Sequence, residues 1–279
     1  MEKKLLSTKD FVVKYDLMAK KALGQNFLLD SNITDKIVRS SLQAQGLDDL
    51  AGAVAAEVGP GPGGLTQSVL RQNPKSMVAV EMDERCLAIL GEIKAVYPQL
   101  EIVNGDALKF DWQRLAEEQG KCHIFSNLPY NISVVLLTGW LKQIQDFKSL
   151  TLMFQKEVGD RILAKPDSKD YGRISVISQL QCEVVKLFDL PPTCFVPAPK
   201  IWSSVLLFKP KSDALSEDIL NKVESLTALS FGQRRKMIRQ SLKTVSGIGE
   251  ILEKLGISPT LRAENLMPSD YLDIAKSLV

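Results

Sequence analysis

The stretch AVAAEVGPGPGGL, residues 53–65, decides the fold. The apolar run Ala53–Val58 predicts a buried strand, and the loop after it has the glycine spacing G-x-G-x-x-G before a helix that begins near Leu65. Strand, glycine loop and helix in this order are typical of a nucleoside-cofactor site in a doubly wound α/β protein. Ligands of such proteins bind at the carboxyl ends of the strands, so residues that follow a strand are the first candidates for function.

Short apolar runs alternate with amphipathic stretches along most of the chain. Strands are predicted at Ala53–Val58, Met77–Met82, Leu100–Val103, His123–Ser126 and Leu150–Phe154, and helices at Leu65–Gln72, Asp83–Val96, Ser133–Ile144 and Lys156–Leu163. This alternation implies a parallel sheet with helices on both faces. Two later runs, Val184–Leu190 and Trp202–Lys209, are expected to add an antiparallel edge. The predicted fold class is therefore α/β, with a Rossmann-like, doubly wound and mostly parallel seven-stranded sheet.

The character of the sequence changes after Lys209. No strand signal follows, and helices are predicted at Ile219–Ser230, Arg234–Thr244, Ile248–Leu255 and Tyr271–Leu278. We predict an α/β domain over residues 1–210 and a small, all-helical C-terminal domain over residues 211–279. Residues 1–22 are expected to form a basic N-terminal arm, either solvated or with Lys14, Lys20 and Lys21 near a nucleic-acid backbone.

Composition excludes several classes of protein and site. The chain has 279 residues, 45% hydrophobic and 24% charged, and a net charge of +2, so a polyanion must be bound by a local patch. A single histidine, His123, rules out a two-histidine zinc site, and no pair among the four cysteines has C-x-x-C spacing, so no metal is expected. No run is long enough to span a membrane and no signal-peptide core is present, so we expect a cytoplasmic protein.

Two acidic residues at later strand ends indicate the cofactor. Glu81 lies 22 residues after Gly59, where a carboxylate accepts hydrogen bonds from ribose hydroxyls. Asp106, at the end of the next strand, offers an acceptor for an adenine amine. The loop Gly59–Gly64 also contains two prolines, which stiffen a loop with no pyrophosphate to wrap. These details favour S-adenosylmethionine over NAD.

The fourth strand end, Asn127-Leu-Pro-Tyr130, fits methylation of an amine on a nucleobase. The lone pair of such an amine is delocalised into the ring, so a site must accept its hydrogen bonds and stack the base. Asn127 supplies a side-chain acceptor and Leu128 a backbone carbonyl, while Pro129 forces an extended turn that points both inward. Tyr130 offers an aromatic face for the base.

Seven segments together make the chain resemble the KsgA-type ribosomal RNA adenine dimethyltransferases, a family of class I methyltransferases. The segments are Gly24-Gln-Asn-Phe-Leu28, Glu57-Val-Gly-Pro-Gly61, Glu81-Met-Asp83, Asn104-Gly-Asp106-Ala, Asn127-Leu-Pro-Tyr130-Asn, Phe154-Gln-Lys-Glu157-Val and Phe195-Val-Pro-Ala-Pro-Lys200. The resemblance covers nearly the whole chain. It implies dimethylation of two adjacent adenines near the 3′ end of 16S rRNA, in the small ribosomal subunit or its assembly intermediate, by a monomer.

The resemblance also implies roles for individual residues. Cofactor-binding residues would be Asn26, Leu28, Gly59, Gly61, Glu81, Asp106 and Asn127, with Asn26 and Leu28 closing over the cofactor and Gly59 at its methionine end. Catalytic residues would be Asn127, Leu128, Pro129, Tyr130 and Phe195, with Tyr130 and Phe195 sandwiching the target base. One departure concerns the rim of the target pocket: the family usually has an acid between an apolar residue and a serine, whereas this chain has Trp202 between Ile201 and Ser203.

The segment Phe231–Lys243 is expected to dock RNA. It carries five positive charges, on Arg234, Arg235, Lys236, Arg239 and Lys243, and no acid. On the predicted helix, Arg235 and Arg239 share a face at i, i+4. We interpret it as a helix that follows phosphates of structured RNA; a solvated helix face is the alternative.

Three other functions stay open from the sequence. An NAD-dependent oxidoreductase would use the same glycine loop but leave Asn127–Tyr130 without a task. A non-catalytic assembly factor that binds RNA would keep the cofactor fold only as a scaffold. A large-subunit rRNA adenine methylase would share the core motifs, although Gly24 before Gln-Asn-Phe-Leu argues mildly against it.

Overall fold

The structure is a computed structural model that describes residues 5–20, 24–213 and 215–278. Its helices are α1 Thr8–Lys14, α2 Ser31–Gln45, α3 Gly64–Leu70, α4 Glu84–Val96, α5 Trp112–Gln119, α6 Ser133–Lys142, α7 Lys156–Leu163, α8 Arg173–Gln181, α9 Glu217–Gly232, α10 Ile238–Ser241, α11 Ile248–Lys254 and α12 Pro268–Lys276. Its strands are β1 Phe27–Leu28, β2 Val54–Val58, β3 Ser76–Glu81, β4 Leu100–Asn104, β5 Cys122–Ser126, β6 Phe147–Gln155, β7 Cys182–Leu190, β8 Phe195–Val196 and β9 Ser203–Pro210.

Seven strands form one sheet in the order β4-β3-β2-β5-β6-β9-β7. The first five are parallel neighbours, and β9 pairs with β6 in the antiparallel direction. The predicted fold class is thereby confirmed, and each predicted strand is present within three residues at either end. The order reverses beside β2, so the loops after β2, β3, β4 and β5 meet at one edge of the sheet.

Burial explains why these strands lie in the centre of the sheet. All five residues of β2 and of β5 are buried, as expected for strands covered by helices on both faces. The turn into α3 depends on Gly63, whose φ of 76° is left-handed. A Cβ atom at this position would lie 2.2 Å from Ile93 Cδ1, so the close approach of the loop to α4 requires glycine.

The N-terminal arm differs from the solvated arm that the sequence suggested. Its helix α1 has Ser7 as its cap and buries Phe11 completely, and Leu17 is 3% exposed. Lys14 forms an ion pair with Glu92, so its ammonium group is engaged within the protein. The solvated-arm interpretation is therefore wrong for residues 5–20, because two apolar side chains tie this segment to the core. Lys21 lies outside the described residues.

The chain divides into two compact units. One consists of residues 1–156 and 185–209, and the other of residues 157–184 and 210–279. The predicted boundary after residue 210 lies one residue from the last of these breaks, but residues 157–184 were expected in the first domain and instead group with the helical unit. The ring of Tyr171 explains this grouping: its centroid is 5.9 Å from that of Phe231, and its hydroxyl donates to the Leu266 carbonyl at 3.0 Å.

The basic segment is not the helix that was predicted over Arg234–Thr244. Helix α9 ends at Gly232, and only the single turn of α10 is helical before α11. Met237 instead forms an antiparallel bridge with Arg262, and the Ile238 N–H donates to the Leu261 carbonyl. Arg235 and Arg239 consequently do not share a helix face, because the backbone between them pairs with a neighbouring strand-like segment.

Among the described residues, none of the helices combines the length and apolar character needed to cross a bilayer.

Candidate active site

A cleft opens where the parallel strands end. Its walls come from the segment 24–27 and from the loops after β2, β3, β4 and β5, including Gly59, Gly61, Glu81, Asp106 and residues 127–130. All of the lining residues belong to the first compact unit.

Glu81 is the buried acid of the cleft. Its side chain is 6% exposed, and its carboxylate accepts the Gly61 N–H at 2.9 Å and the Asp83 N–H at 2.8 Å. Burial raises the pKa of Glu81, and the two backbone donors oppose that effect. Each carboxylate oxygen accepts one backbone N–H and keeps a further lone pair, so the group can also accept a ligand diol.

A second acid, Glu57, lies beneath the glycine loop. It is 1% exposed, and Thr66 donates its hydroxyl to the carboxyl oxygen Oε2 at 2.6 Å. Burial raises the pKa of Glu57 to about 8. Because that value lies above neutral pH, the protonated form of Glu57 is favoured there.

Asp106 lines the cleft from the loop after β4. Its oxygen Oδ1 accepts the Leu108 N–H at 3.0 Å, which fixes the carboxylate as the first residue of a turn. This arrangement leaves Oδ2 as an acceptor. The two strand-end acids predicted from the sequence are therefore brought into the same cleft.

The side-chain amide nitrogen of Asn127 has a hydrogen-bond partner within the protein. The Nδ2 group donates to the Asn26 carbonyl at 2.8 Å, which leaves Oδ1 as the acceptor that the site can present to a ligand. Leu128, Pro129 and Tyr130 also line the cleft. Four of the five predicted catalytic residues thus meet at its wall.

Tyr130 is fixed through its hydroxyl group. The Tyr130 and Ser203 hydroxyls lie 2.7 Å apart, and burial raises the pKa of Tyr130, so the phenol stays neutral. Because the hydroxyl is bound to Ser203, the ring face is what Tyr130 offers to a ligand.

Two predicted residues do not line the cleft. Leu28 and Phe195 lie opposite each other in the two-stranded sheet formed by β1 and β8, and they are 5% and 2% exposed. Phe27 lines the cleft instead, and a Cβ atom on Gly61 would lie 3.1 Å from its ring. Gly61, with φ of 53°, is thus needed for the close approach of loop and ring.

A hydrogen-bonded network that the sequence did not reveal supports the 24–27 wall. Gln25 donates to Asp83 Oδ2 at 2.9 Å and accepts the Lys20 N–H at 2.8 Å. Arg85 binds both carboxylate oxygens of Asp83 and also donates to the Met18 carbonyl at 2.9 Å. The Arg85 guanidinium holds the pKa of Asp83 at about 2. The sequence could have indicated this network only through position: Gln25 and Asp83 belong to the same motifs as the predicted cofactor-binding residues Asn26 and Glu81.

His123 has no part in the cleft. It is a buried strand residue whose Nδ1 lies 2.8 Å from the Ser149 hydroxyl. Burial lowers the pKa of His123 to about 4, so the imidazole is neutral at physiological pH. This agrees with the prediction of a strand over His123–Ser126.

The predicted RNA-binding residues lie in the second unit. Arg235, Lys236, Arg239 and Lys243 are exposed. Arg234 differs, because it forms an ion pair with Glu264 at 2.5 Å and donates to the Ser168 carbonyl at 3.1 Å. Arg234 therefore makes contacts within the unit, whereas the other four basic side chains face solvent.

Comparison with known families identifies the family to which the chain belongs. A family described as ribosomal RNA adenine dimethylase matches residues 17–279. The chain belongs to the ribosomal RNA adenine dimethylase family. This assignment confirms the predicted family, the enzyme class and the cofactor, S-adenosylmethionine.

Relatives of the family cover almost the whole chain. The chain is 47% identical over 274 residues to "Ribosomal RNA small subunit methyltransferase A" of Chelativorans sp. (strain BNC1), with 97% of each chain covered. It is 45% identical over 278 residues to the protein of the same name in Mesorhizobium japonicum, again with 97% of each covered.

Solved structures of low sequence identity share the fold. A dimethyladenosine transferase from Plasmodium falciparum matches with a TM-score of 0.74 at 24% identity, covering 88% of this chain and 94% of that one. The 23S rRNA methyltransferase ErmE matches with a TM-score of 0.67 at 21% identity, covering 91% of this chain and 99% of that one.

The cleft fits the family's cofactor by the chemistry of its lining. Carboxyl oxygens accept hydrogen bonds, which suits the hydroxyls of a ribose at Glu81 and an exocyclic amine at Asp106. Gly59 and Gly61 leave the loop without side chains, so a ligand can approach its backbone closely.

Proposed function

We propose that this chain dimethylates two adjacent adenines near the 3′ end of 16S rRNA, in the small ribosomal subunit or an assembly intermediate. The observation that carries the proposal is the amide of Asn127, whose Nδ2 is bound to the Asn26 carbonyl at 2.8 Å. The acceptor oxygen of the same amide, Oδ1, suits an amine that carries hydrogens. The small ribosomal subunit is part of the name of relatives that cover 97% of the chain.

Cofactor binding is assigned to residues of the strand-end loops. Glu81 accepts the ribose hydroxyls, Asp106 accepts the adenine amine, and Gly59, Gly61 and Asn26 line the methionine part of the cleft. When bound, S-adenosylmethionine supplies an electrophilic methyl group on a sulfonium. Residues 127–130 line the same cleft and would hold the acceptor beside that group.

The residues Asn127–Tyr130 position the acceptor. Asn127 Oδ1 and the Leu128 carbonyl accept hydrogen bonds from the adenine amine, and the ring of Tyr130 stacks on the base. Phe195 lies behind this wall rather than in it, so we assign it to the support of the segment Phe27–Leu28. Holding both reactants in line can lower the activation barrier by up to about 7–11 kcal/mol.

Proton release needs no strong base in the described part of the cleft. The raised pKa of Tyr130 keeps its phenol protonated, and Glu81 is assigned to the ribose hydroxyls rather than to the acceptor amine. We assign the proton to water after methyl transfer, since an alkylated adenine amine is acidic enough to lose it unaided.

Docking of the RNA is assigned to Arg235, Lys236, Arg239 and Lys243. These exposed cations supply a local patch on a chain whose net charge is only +2. We propose that the enzyme acts as a monomer in the cytoplasm, where small subunits are assembled.

The deciding experiment incubates the protein with labelled S-adenosylmethionine and unmethylated small subunits, and then maps the labelled nucleotides. Label on two adjacent adenines near the 3′ end of 16S rRNA supports the proposal. Label confined to 23S rRNA in a parallel reaction with large subunits would identify a large-subunit methylase instead, and absence of transfer in both reactions would favour an assembly factor.

A further inference from the structure

Trp202 differs from the other two tryptophans of the chain. Trp112 and Trp140 are 3% and 1% exposed and pack edge to face in the core, with ring centroids 5.7 Å apart. Trp202 is 50% exposed, and no aromatic ring of the described residues stacks on its indole. A half-exposed indole leaves apolar, aromatic surface available for contact with a partner.

The backbone of Trp202 is fixed next to the proposed acceptor site. Its carbonyl accepts the Lys156 N–H at 2.8 Å, and the following residue, Ser203, pairs with Gln155 across β6 and β9. The Ser203 hydroxyl is the group that lies 2.7 Å from the hydroxyl of Tyr130. Trp202 is therefore one residue away from the contact that holds the stacking platform of the site.

Other residues near Trp202 in the sequence also have exposed apolar side chains. Ile201 and Val196 are 39% and 52% exposed, and Lys200 is exposed between them. We call Val196, Lys200, Ile201 and Trp202 the rim patch. Apolar and aromatic surface beside a positive charge matches single-stranded RNA, in which bases stack on aromatic rings and phosphates pair with cations.

The chemistry of the reaction gives such a surface a use. An adenine that enters a cleft leaves its stack, so the neighbouring nucleotide loses a stacking partner. Trp202 directly precedes Ser203, whose hydroxyl contacts that of Tyr130, so its exposed indole is available to replace that partner. We propose that Trp202 stacks on a nucleobase adjacent to the target adenine; the inference rests on the proposed function and specifies how the RNA is held.

Kinetics of small-subunit methylation by three variants test the stacking. Trp202→Ala should raise KM for unmethylated small subunits by about 5- to 150-fold, the range that corresponds to one base–aromatic stack. Trp202→Phe should keep most of the affinity because it keeps a ring, and Trp202→Leu should behave like Trp202→Ala. For all three, kcat at saturating subunits and the affinity for S-adenosylmethionine should stay near the parental values.

The matched control is Val13→Ala, which removes an exposed apolar side chain, 81% exposed, from α1 of the same unit. It should methylate with the parental KM. A parental KM for Trp202→Ala overturns the inference while leaving the proposed function intact. Equal rescue by Leu and Phe also overturns it, because apolar cover such as contact with a ribosomal protein would then suffice.

Fluorescence gives a readout that does not depend on activity. Since Trp202 is the exposed tryptophan, acrylamide should quench mainly its emission in the free protein. A protein-free 3′-terminal fragment of small-subunit rRNA, with binding followed by the anisotropy of a dye on the RNA, should reduce that quenching in the parental protein and not in Trp202→Phe. Bound RNA without protection of the indole overturns the inference. If the parental protein transfers no methyl group, the proposed function fails, and this measurement still decides whether Trp202 contacts RNA.

Discussion

The cleft and the basic segment 231–243 are both sites that carry the proposed function, yet they were predicted with different success. The cleft lies where a parallel sheet ends, so the residues that follow β2, β3, β4 and β5 must converge whatever their side chains. The basic segment has no such constraint. Its backbone follows pairing with residues 261–262, and its charges are distributed by that pairing instead of by helical spacing.

The spacing of residues in the sequence is informative in the cleft but not in the basic segment. Glu81 and Asp106 are 25 residues apart in the chain and still meet in one cleft, because the register of β3 and β4 places Glu81 opposite Asn104. Arg235 and Arg239 are four residues apart and do not share a helix face. A distance in sequence therefore predicts a distance in space only when the secondary structure between the residues is known.

The largest expected effect tests the acceptor end of the cleft. Replacing Asn127 with alanine should lower the single-turnover rate of small-subunit methylation by about 10²–10³-fold, by analogy with the loss of one preorganised polar group at an oxyanion site. The affinity for S-adenosylmethionine, measured by titration calorimetry, should change little, because the acceptor acts mainly in the transition state. Parental rates in the folded variant would show that Oδ1 does not contact the amine.

Cofactor binding tests the other end of the cleft. Glu81→Ala removes a carboxylate that contacts a ribose diol, so binding of S-adenosylmethionine should weaken by roughly 1.5–3 kcal/mol, the usual value for hydrogen bonds to a charged group. The exposed neighbour Glu84 provides the matched control, and Glu84→Ala should leave the affinity unchanged. Equal affinities for the two variants in calorimetry would remove the ribose assignment.

Much of the cleft could be predicted because strand ends carry its chemistry, but its supporting contacts could not. The pairing of Leu28 with Phe195 joins segments that are far apart in the chain, and nothing in two short apolar dipeptides predicts it. The bidentate contact of Arg85 with Asp83 likewise requires side-chain geometry at the start of α4. The docked arm was missed because Phe11 and Leu17 stand among charged residues that suggested solvation.

Substitutions of Tyr130 are expected to have smaller effects than those of Asn127 and Glu81. Tyr130→Ala should weaken binding of the subunit by about 1–3 kcal/mol through the lost stacking face. Tyr130→Phe keeps the ring but loses the contact with Ser203, so it should cost about 0.5–1.5 kcal/mol of stability and leave the methylation rate close to parental. Denaturant unfolding and single-turnover methylation of both variants separate the two effects. Equal damage to the rate in both variants would mean that the hydroxyl, not the ring face, is used.

Salt dependence tests whether the basic segment binds RNA at all. Replacing Arg235 and Arg239 together with glutamine removes two proposed phosphate contacts, so the slope of log K against log salt should become shallower by about 1.4–1.8. Cofactor affinity should stay unchanged. A double variant of Arg114 and Lys121 removes the same charge from the other unit and should keep the parental slope. If both double variants have the parental slope, the segment is a solvated surface.

The smallest effect separates two adjacent arginines. Arg234 is paired with Glu264 at 2.5 Å, whereas Arg235 is exposed. The side chains of that pair are 36% and 31% exposed, so solvent screens the pair and Arg234→Gln should lower the free energy of unfolding by only about 0.2–1 kcal/mol. Its RNA affinity should be unchanged.

Arg235→Gln should show the reverse pattern, with parental stability and a shallower salt slope by about 0.7–0.9 for one lost phosphate contact. Urea unfolding and RNA titration at several salt concentrations measure both quantities on both variants. Identical behaviour of the two variants would mean that the ion pair with Glu264 does not divide the basic segment into a structural residue and RNA-binding residues. Opposite patterns would show that five like charges in one short stretch serve two purposes, according to which of them the fold neutralises.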